Sequence, residues 1–357
     1  MAKYRKATLY ARTDATTATT ETIEKLGRKP ISRLQVIFEA INDGNEPTAH
    51  PAKCVSKVEI VDGSEVIYSL SGQEIEALDF YDTGKPRSYE LDYRNDMFSF
   101  EVFNLNFGRH LYDPEFAFDP TKFDNPQLKI THNKASGGSA PNAAYLTVLA
   151  DVFDEKSISP SGWLMAKEFN SYTPTASAYK EVKLPDDWLL RKMLVQSQYS
   201  TNTFTDNIDE IRIDEENLAR IPIDLNMFRY MGSVMSRYPL YNEVIVGITP
   251  GISTYTWFCT PCEYSNWAIA AIGSAEIYTA AERGGGTQTI TNSAVTAFRA
   301  LVTGYMPHGC LPVEFGDQND SSDWYDITTI EDLTLRLHHA SGIGGTVNVV
   351  LQQLRKY

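Results

Sequence analysis

The sequence predicts an all-β chain folded as two tandem β-sandwiches, with short helices confined to the connections. Three observations predict it. Short strand-like segments separated by turn residues recur along most of the chain, with few helical stretches between them, which is the pattern of sandwiches. An order of strand, hairpin, strand, helix and proline occurs twice in one register. The length of 357 residues accommodates two domains at about 150 residues each, and 42% hydrophobic residues supply their cores without disulfide or metal staples.

Taken in order, residues 1–30 read as a basic, Thr-rich N-terminal arm. The run 13–22 has no apolar period to bury, so it is expected to be extended or disordered when free. Lys3, Arg5, Lys6, Arg12, Lys25, Arg28 and Lys29 stand here against Asp14, Glu21 and Glu24, in a chain whose net charge is −14. A basic arm on an acidic body suits an anionic partner, such as lipid headgroups or a neighbouring subunit. A first sandwich is expected over 31–156. Segment 31–41 is rich in β-branched and aromatic residues. Segments 57–61 and 65–70 flank the tight turn at Asp62-Gly63 as a hairpin. Residues 98–107 alternate strictly, and 127–132 and 144–153 complete the set.

Residues 157–183, with Pro160 and Pro174, read as a linker. The second sandwich is expected over 184–357, with strands at 188–195, 208–213, 244–248, 254–258, 333–337 and 347–351 and a short helix at 294–303. The long connections 87–97, 108–126 and 260–294 are costly unless used.

The repeat appears when the chain is slid on itself by 211 − 58 = 153 residues. Val55 then falls on Ile208, Val58 on Ile211, Ile60 on Ile213, Tyr68 on Ile221 and Leu70 on Ile223. Beyond these strands both copies change from period two to helical spacing, with Ile75, Leu78 and Tyr81 matching Phe228, Met231 and Val234. Ser71 and Asp224 stand where an N-cap belongs. Pro86 and Pro239 coincide where each helix must stop.

A duplicated sandwich with a short helix after its early strands and a basic polar N-terminal segment resembles the double jelly-roll major capsid proteins of tailless icosahedral viruses, in the adenovirus-like lineage. The small members from membrane-containing bacteriophages, the corticoviruses and tectiviruses, match in size. The resemblance covers roughly 31–357 and lies in architecture and spacing, because the family has no short invariant motif. It implies two tandem jelly rolls and a structural, non-enzymatic subunit. Three copies would form a pseudo-hexagonal capsomer of an icosahedral shell, with the strands roughly perpendicular to that shell. It implies synthesis in the host cytoplasm and a place in the virion. The arm would lie on the inner side, toward an internal membrane or minor capsid proteins. The long connections would form towers or capsomer contacts. The aromatic load (Tyr 20, Phe 16, Trp 5) suits broad subunit contacts. Removing 1–30 is then expected to leave both sandwiches folded and to impair assembly. A carbohydrate-binding or carbohydrate-active β-sandwich is the alternative, and it requires a tryptophan-lined cleft with a carboxylate pair.

No residue is assigned to catalysis, to a cofactor or to a metal. Cys259 and Cys262 form a C-x-x-C, and His308 and Cys310 follow, so a Cys₃His zinc set is available. The spacing is not that of a zinc finger, and packed thiols are the expected state. The acidic run 317–326 lacks the alternation and terminal Glu of a calcium loop, so it is expected to be a solvated loop. His50, His110, His132, His308, His338 and His339 form no metal-binding pattern, and adjacent His338 and His339 on a strand would face opposite ways. The glycine-rich 283–287 lacks the lysine of a phosphate loop and reads as a flexible tip. Net charge −14 disfavours a nucleic-acid-coating face, and no sequence-specific nucleic-acid contact is expected. No run approaches 18 apolar residues, the start lacks a signal-like apolar core, and four cysteines suit a reducing compartment.

Overall fold

A computed structural model describes residues 3–199, 202–251, 253–272, 277–279, 284–292 and 295–357. The chain opens with β1 (Tyr4–Asp14), β2 (Thr19–Ile23), β3 (Ile31–Ile41), β4 (Val55–Asp62) and β5 (Glu65–Leu70). Helix α1 (Gly72–Thr83) and a two-residue β6 (Leu91–Asp92) follow, then β7 (Phe98–Asn106), β8 (Pro126–His132) and β9 (Ala143–Phe153). Leaving β6 aside, these eight strands form two sheets, β1-β9-β3-β7 and β2-β8-β4-β5. Numbered one to eight within the module, the orders are 1-8-3-6 and 2-7-4-5, the double Greek key of a jelly roll.

The same orders recur downstream. The strands β10 (Gly162–Tyr172), β11 (Tyr179–Lys183), β12 (Leu189–Gln198), β13 (Ile208–Glu215) and β14 (Arg220–Asn226) lead into helix α2 (Met227–Met235). An insertion then intervenes, made of β15 (Tyr241–Thr249), β16 (Ser253–Phe258), β17 (Pro261–Ile272), β18 (Ile277–Thr279), β19 (Thr287–Asn292) and β20 (Thr296–Pro307). The module closes with β21 (Cys310–Glu314), β22 (Leu333–His339) and β23 (Thr346–Lys356). Its sheets are β10-β23-β12-β21 and β11-β22-β13-β14, again 1-8-3-6 and 2-7-4-5. The chain is therefore two tandem jelly rolls, as its all-β patterning and repeat predict.

Several expectations are corrected. Residues 3–30 are not a free arm, because they supply β1 and β2. The first is antiparallel to β9 from Tyr4 opposite Phe153 to Asp14 opposite Tyr145, and the second pairs with β8. An edge strand satisfies its backbone on one side only and buries little side-chain surface. The polar composition of β1, mostly exposed, therefore hid a strand. The expected linker 157–183 likewise contains β10 and β11, with Pro160 and Pro174 just outside the ends of β10. Residues 296–303 of the expected helix at 294–303 lie in β20, while Ala294 is outside the described residues. Helix-forming Ala and Leu mislead there. Phe298, Ala300 and Val302 alternate inward, and β15 and β17 pair on either side. Segments 244–248 and 254–258 belong to the insertion rather than to the second sandwich.

The insertion has its own core around Leu91, Tyr93, Ile245, Trp257, Phe298 and Val302. It forms the sheets β17-β20-β15-β6 and β16-β19-β18. Strand β6, from the first module, pairs with β15 and ties the insertion to that module.

The 153-residue register holds for β4 against β13 and then slips. The first hairpin closes at Asp62 opposite Glu65, the second at Glu215 opposite Arg220, so the second turn is two residues longer. The cap of α2 is accordingly Asn226 rather than Asp224, which lies in β14. The buried flank of α2 is Met227, Tyr230, Met231 and Val234, and Phe228 is 60% exposed. Ser71 does cap α1. It forms a reciprocal capping box with Glu74, so two orphan donors of the first turn are satisfied. Gly84, at φ 67°, ends α1 with its N–H on the carbonyl of Phe80, a conformation that penalises any residue with a Cβ.

The two jelly rolls are continuous. Strand β5 meets β10 at a parallel bridge, Ser69 opposite Lys167, joining β2-β8-β4-β5 and β10-β23-β12-β21 into one eight-stranded sheet. Trp163 on β10 is fully buried against Phe107 and Phe118 of the first module, with ring centroids 5.7 and 5.2 Å away. Such pairs add about 0.5–1.5 kcal/mol beyond their burial.

Deleting residues 1–24 removes two of the first module's eight strands. The shortened chain should lose the cooperative melting transition of the first module and expose it to limited proteolysis, read by calorimetry and mass spectrometry. A truncated protein that melts like the full chain would contradict this placement.

Candidate functional site

Chemistry concentrates at the seam between the modules, and α1 builds it. One flank of the helix packs on its own module, with Ile75, Leu78 and Phe80 in the core. The other flank lies on the outer face of β10-β23-β12-β21. Asp82 accepts from Arg191 Nη1 at 2.6 Å and from Gln352 Nε2 at 3.0 Å, and lies 3.0 Å from Lys192 Nζ. Tyr81 donates its hydroxyl to the carbonyl of Cys310 at 2.7 Å, and Asn348 reaches Glu74 at 3.3 Å. Burial by itself raises the Asp82 carboxyl, but Lys192 and Arg191 outweigh it and hold the group below its ordinary value. Burial also pulls the Lys192 ammonium down, against the pull of Asp82. The β10-β23-β12-β21 sheet is thus buried on both faces, by its own core and by α1.

A second cluster lies where the seam meets the insertion. Arg87, just after α1, is buried among Glu76, Glu101 and Glu243. Glu76 also accepts from Tyr241 at 2.7 Å and contacts His308 Nε2 at 2.9 Å, while His308 Nδ1 lies 3.2 Å from Gln73. Glu243 accepts from the amide and hydroxyl of Thr260 at 2.7 and 2.8 Å, and that hydroxyl lies 3.2 Å from His50 Nε2. One guanidinium cannot neutralise three buried carboxylates. Burial raises all three, yet Arg87 and His308 hold Glu76 well below the usual range, whereas Glu101 is pushed up to about 8. His50 is driven well below its ordinary value, first by burial and then by His308. The cluster joins α1, β7, β15 and the turn before β21, so it fixes how the insertion sits on the two sandwiches.

The predicted candidates fall as follows. Cys259 donates its thiol to the Pro261 carbonyl and Cys262 to that of Thr260; burial pushes Cys262 up to about 12 and Cys259 and Cys310 well above their ordinary value. Both ring nitrogens of His308 face Glu76 and Gln73, so it does not join the thiols. Among the described residues no three His, Cys, Asp or Glu side chains are grouped to hold a metal ion.

The expected flexible tip is a packed turn over its described part. Gly286, at φ 71°, lies so close to the C-x-x-C that a Cβ would come within 2.8 Å of the Cys259 carbonyl and of Cys262 Sγ. Arg283 lies outside the described residues. In the acidic loop, Asp317, Asp320 and Asp323 each accept a backbone N–H within the loop, Asp326 accepts that of Thr328 just beyond it, and buried Trp324 donates to the Asp317 carbonyl. These carboxylates are committed to turns. His338 lies 2.5 Å from Asp209 and buried His339 bonds Tyr172 at 3.0 Å, on opposite faces of β22. His132 is buried beside Phe38, and His110 is exposed. Sequence reasoning missed Asp82, Arg87, Glu101 and Lys192. Adjacent Arg191 and Lys192 inside an apolar run were the available signal, because cations in a strand buried on both faces need partners.

Two predictions follow from the Arg87 cluster. Arg87→Met leaves buried carboxylates without their cation and should cost about 3–5 kcal/mol in chemical denaturation. Glu101 holds its proton more tightly folded than unfolded. Its contribution to stability is complete below the ordinary carboxylate range, declines from about pH 5 and is lost once pH passes about 8. Glu101→Gln stays neutral throughout. Its stability relative to the wild type should rise between pH 6 and pH 9, by at most about 1.4 kcal/mol per pH unit. Denaturation midpoints at three pH values check this, and parallel curves would refute it.

No protein-family model and no curated protein matches the chain. Solved structures do. The major capsid protein from bacteriophage PM2 aligns over 99% of this chain and 98% of its own, with TM-score 0.58 and 9% identity. A structure of Sulfolobus Turreted Icosahedral Virus aligns over 99% and 90%, with TM-score 0.59 and 14% identity. The PBCV-1 virus capsid aligns over 98% and 93%, with TM-score 0.56 and 10% identity. Together with the strand order found twice in the chain, this likeness identifies the fold as the double jelly roll of those capsid proteins.

Proposed function

We propose that the chain is the major capsid subunit of an icosahedral virus and that three copies assemble as a pseudo-hexagonal capsomer. The observation that carries this reading is the repetition of one jelly roll side by side in a single chain, joined edge to edge. Two such modules per chain give six per trimer. Nearly complete alignment with solved capsid proteins supports the same role. The role is structural, no residue is assigned to catalysis, and the virion is its place after synthesis in a host cytoplasm. The insertion suits a tower on the outer side. Arg5, Lys6 and Arg12 are held on β1, whereas Lys25, Arg28 and Lys29 lie in the segment between β2 and β3, so a membrane or a minor capsid protein would meet a strand edge and a short connection rather than a loose arm. The carbohydrate alternative needs tryptophans along an open cleft, whereas Trp163, Trp257 and Trp324 are buried, and half-buried Trp188 and Trp267 pack against two different cores.

Electron microscopy of the purified protein, with its mass measured in solution, tests the proposal. Particles of three chains with hexagonal outline are expected. A monomer at every concentration would overturn it.

A further inference from the structure

We propose that the free flank of α2 and the open edge of β14 dock onto the outer face of the β1-β9-β3-β7 sheet of a second copy. This repeats between chains the contact that α1 and β5 make within the chain. The inference rests on the capsid reading and names its contact surface.

The two helices follow equivalent strands, and their caps set Ser71 on Asn226. Phe228, Arg229 and Arg237 then stand where α1 carries Gln73, Glu74 and Asp82. In α1 those positions are turned to the second module, whereas in α2 all three are exposed. The edge strands differ in the same way. Leu70 on β5, next to the Ser69 bridge to β10, is buried in the core, while Leu225 at the matching place on β14 is 42% exposed. Ile221 and Phe228 extend the apolar patch at 40% and 60% exposure. A strand edge with exposed large apolar side chains is an unfinished contact.

The receiving face is also present twice. A register shift follows Ile31 on β3 and Leu190 on β12, so Arg33 opposite Asp151 matches Lys192 opposite Gln352. Counting on, Ile37 matches Gln196 and Val102 matches Cys310. In the second module these positions are covered by α1. In the first, Arg33, Ile37 and Val102 are only half-buried, and a groove of about 810 Å³ opens beside Arg33 and Val102; its other wall is the chain's own α1, whose Asp79 accepts from Asn104 and Asn106.

Chemistry at the two surfaces is compatible. Phe228 takes the place of Gln73, which meets His308 just before β21. The corresponding residue before Val102 is Phe100, so ring faces ring. Arg237 replaces Asp82 and Asp151 replaces Gln352, with the acid on the opposite partner; within the chain Arg237 already meets Glu314, and buried Asp151 meets Arg33 and Lys6, so docking would extend existing ion pairs rather than fill vacant ones. On the edge, Asp224 replaces Ser69, and the strand it would meet, β1, carries exposed Arg5 and Lys6. The contact joins two different patches, so each copy has one free α2 flank and one free sheet. In the proposed capsomer, its repetition closes into a ring of three chains.

That asymmetry gives the test. Phe228→Asp disables the helix side, Ile37→Asp the sheet side. Each variant alone should lose assembly and run at the mass of one chain by light scattering, with the melting temperature of the monomeric unit retained. An equimolar mixture should give a species of two chains, because one intact helix flank still meets one intact sheet. Arg229→Glu and Ile37→Thr serve as second variants if either aspartate prevents folding. A trimer unaffected by these substitutions, or variants whose mixture stays monomeric, would overturn the docking surface and leave the capsid reading standing. A wild-type monomer at all concentrations would remove both.

Discussion

The rest of the structure depends on the double burial of α1. A helix that caps the open end of one sandwich would ordinarily show its far side to water. Here that side is covered by a sheet of the next module, and the covered surface is polar. Asp82 with Arg191 and Lys192, Glu74 with Asn348, and Tyr81 with the Cys310 carbonyl hold it in place. Buried ion pairs of this kind add little net stability, but breaking one side is costly. Their effect is to admit one relative arrangement of the two modules and penalise others.

The second helix shows how the two halves have diverged. At the matching places α2 keeps Met231 and Val234 on its own module where α1 has Glu76 and Asp79. One helix is built to reach Arg87 and to carry a polar network into the insertion. The other is a simpler apolar stopper with an uncovered flank. A chain of two identical modules would have no preferred first and second neighbour. In the proposed assembly, divergence at these few positions would distinguish the contact inside a chain from contacts around it.

Much of the fold could be read from the residues. β3, with Leu34, Val36, Phe38 and Ala40 turned inward, alternates cleanly because only one face of its sheet is fully covered. Strands β4 and β13 aligned without gaps because the segments leading into each hairpin keep the same spacing. Other parts were hidden for physical reasons. Strand β1 buries almost nothing, so its polar residues carry no period. The two extra residues between Glu215 and Arg220 shifted the cap from Asp224 to Asn226 and moved Phe228 out of the core. The seam was the least legible part. Lys192, Arg87 and Glu101 look like surface charges in isolation, and only tertiary contact between segments far apart in sequence makes them partners.

The central claim is that one helix-on-sheet contact is used twice, once inside the chain and once between chains. An electron cryomicroscopy map of the assembled particle measures this most directly. The account predicts that α2 of one copy lies over β3 and β7 of the next, with Phe228 beside Phe100 and Leu225 covered by β1. A map in which α2 faces solvent, or meets another α2 across a two-fold axis, would contradict it.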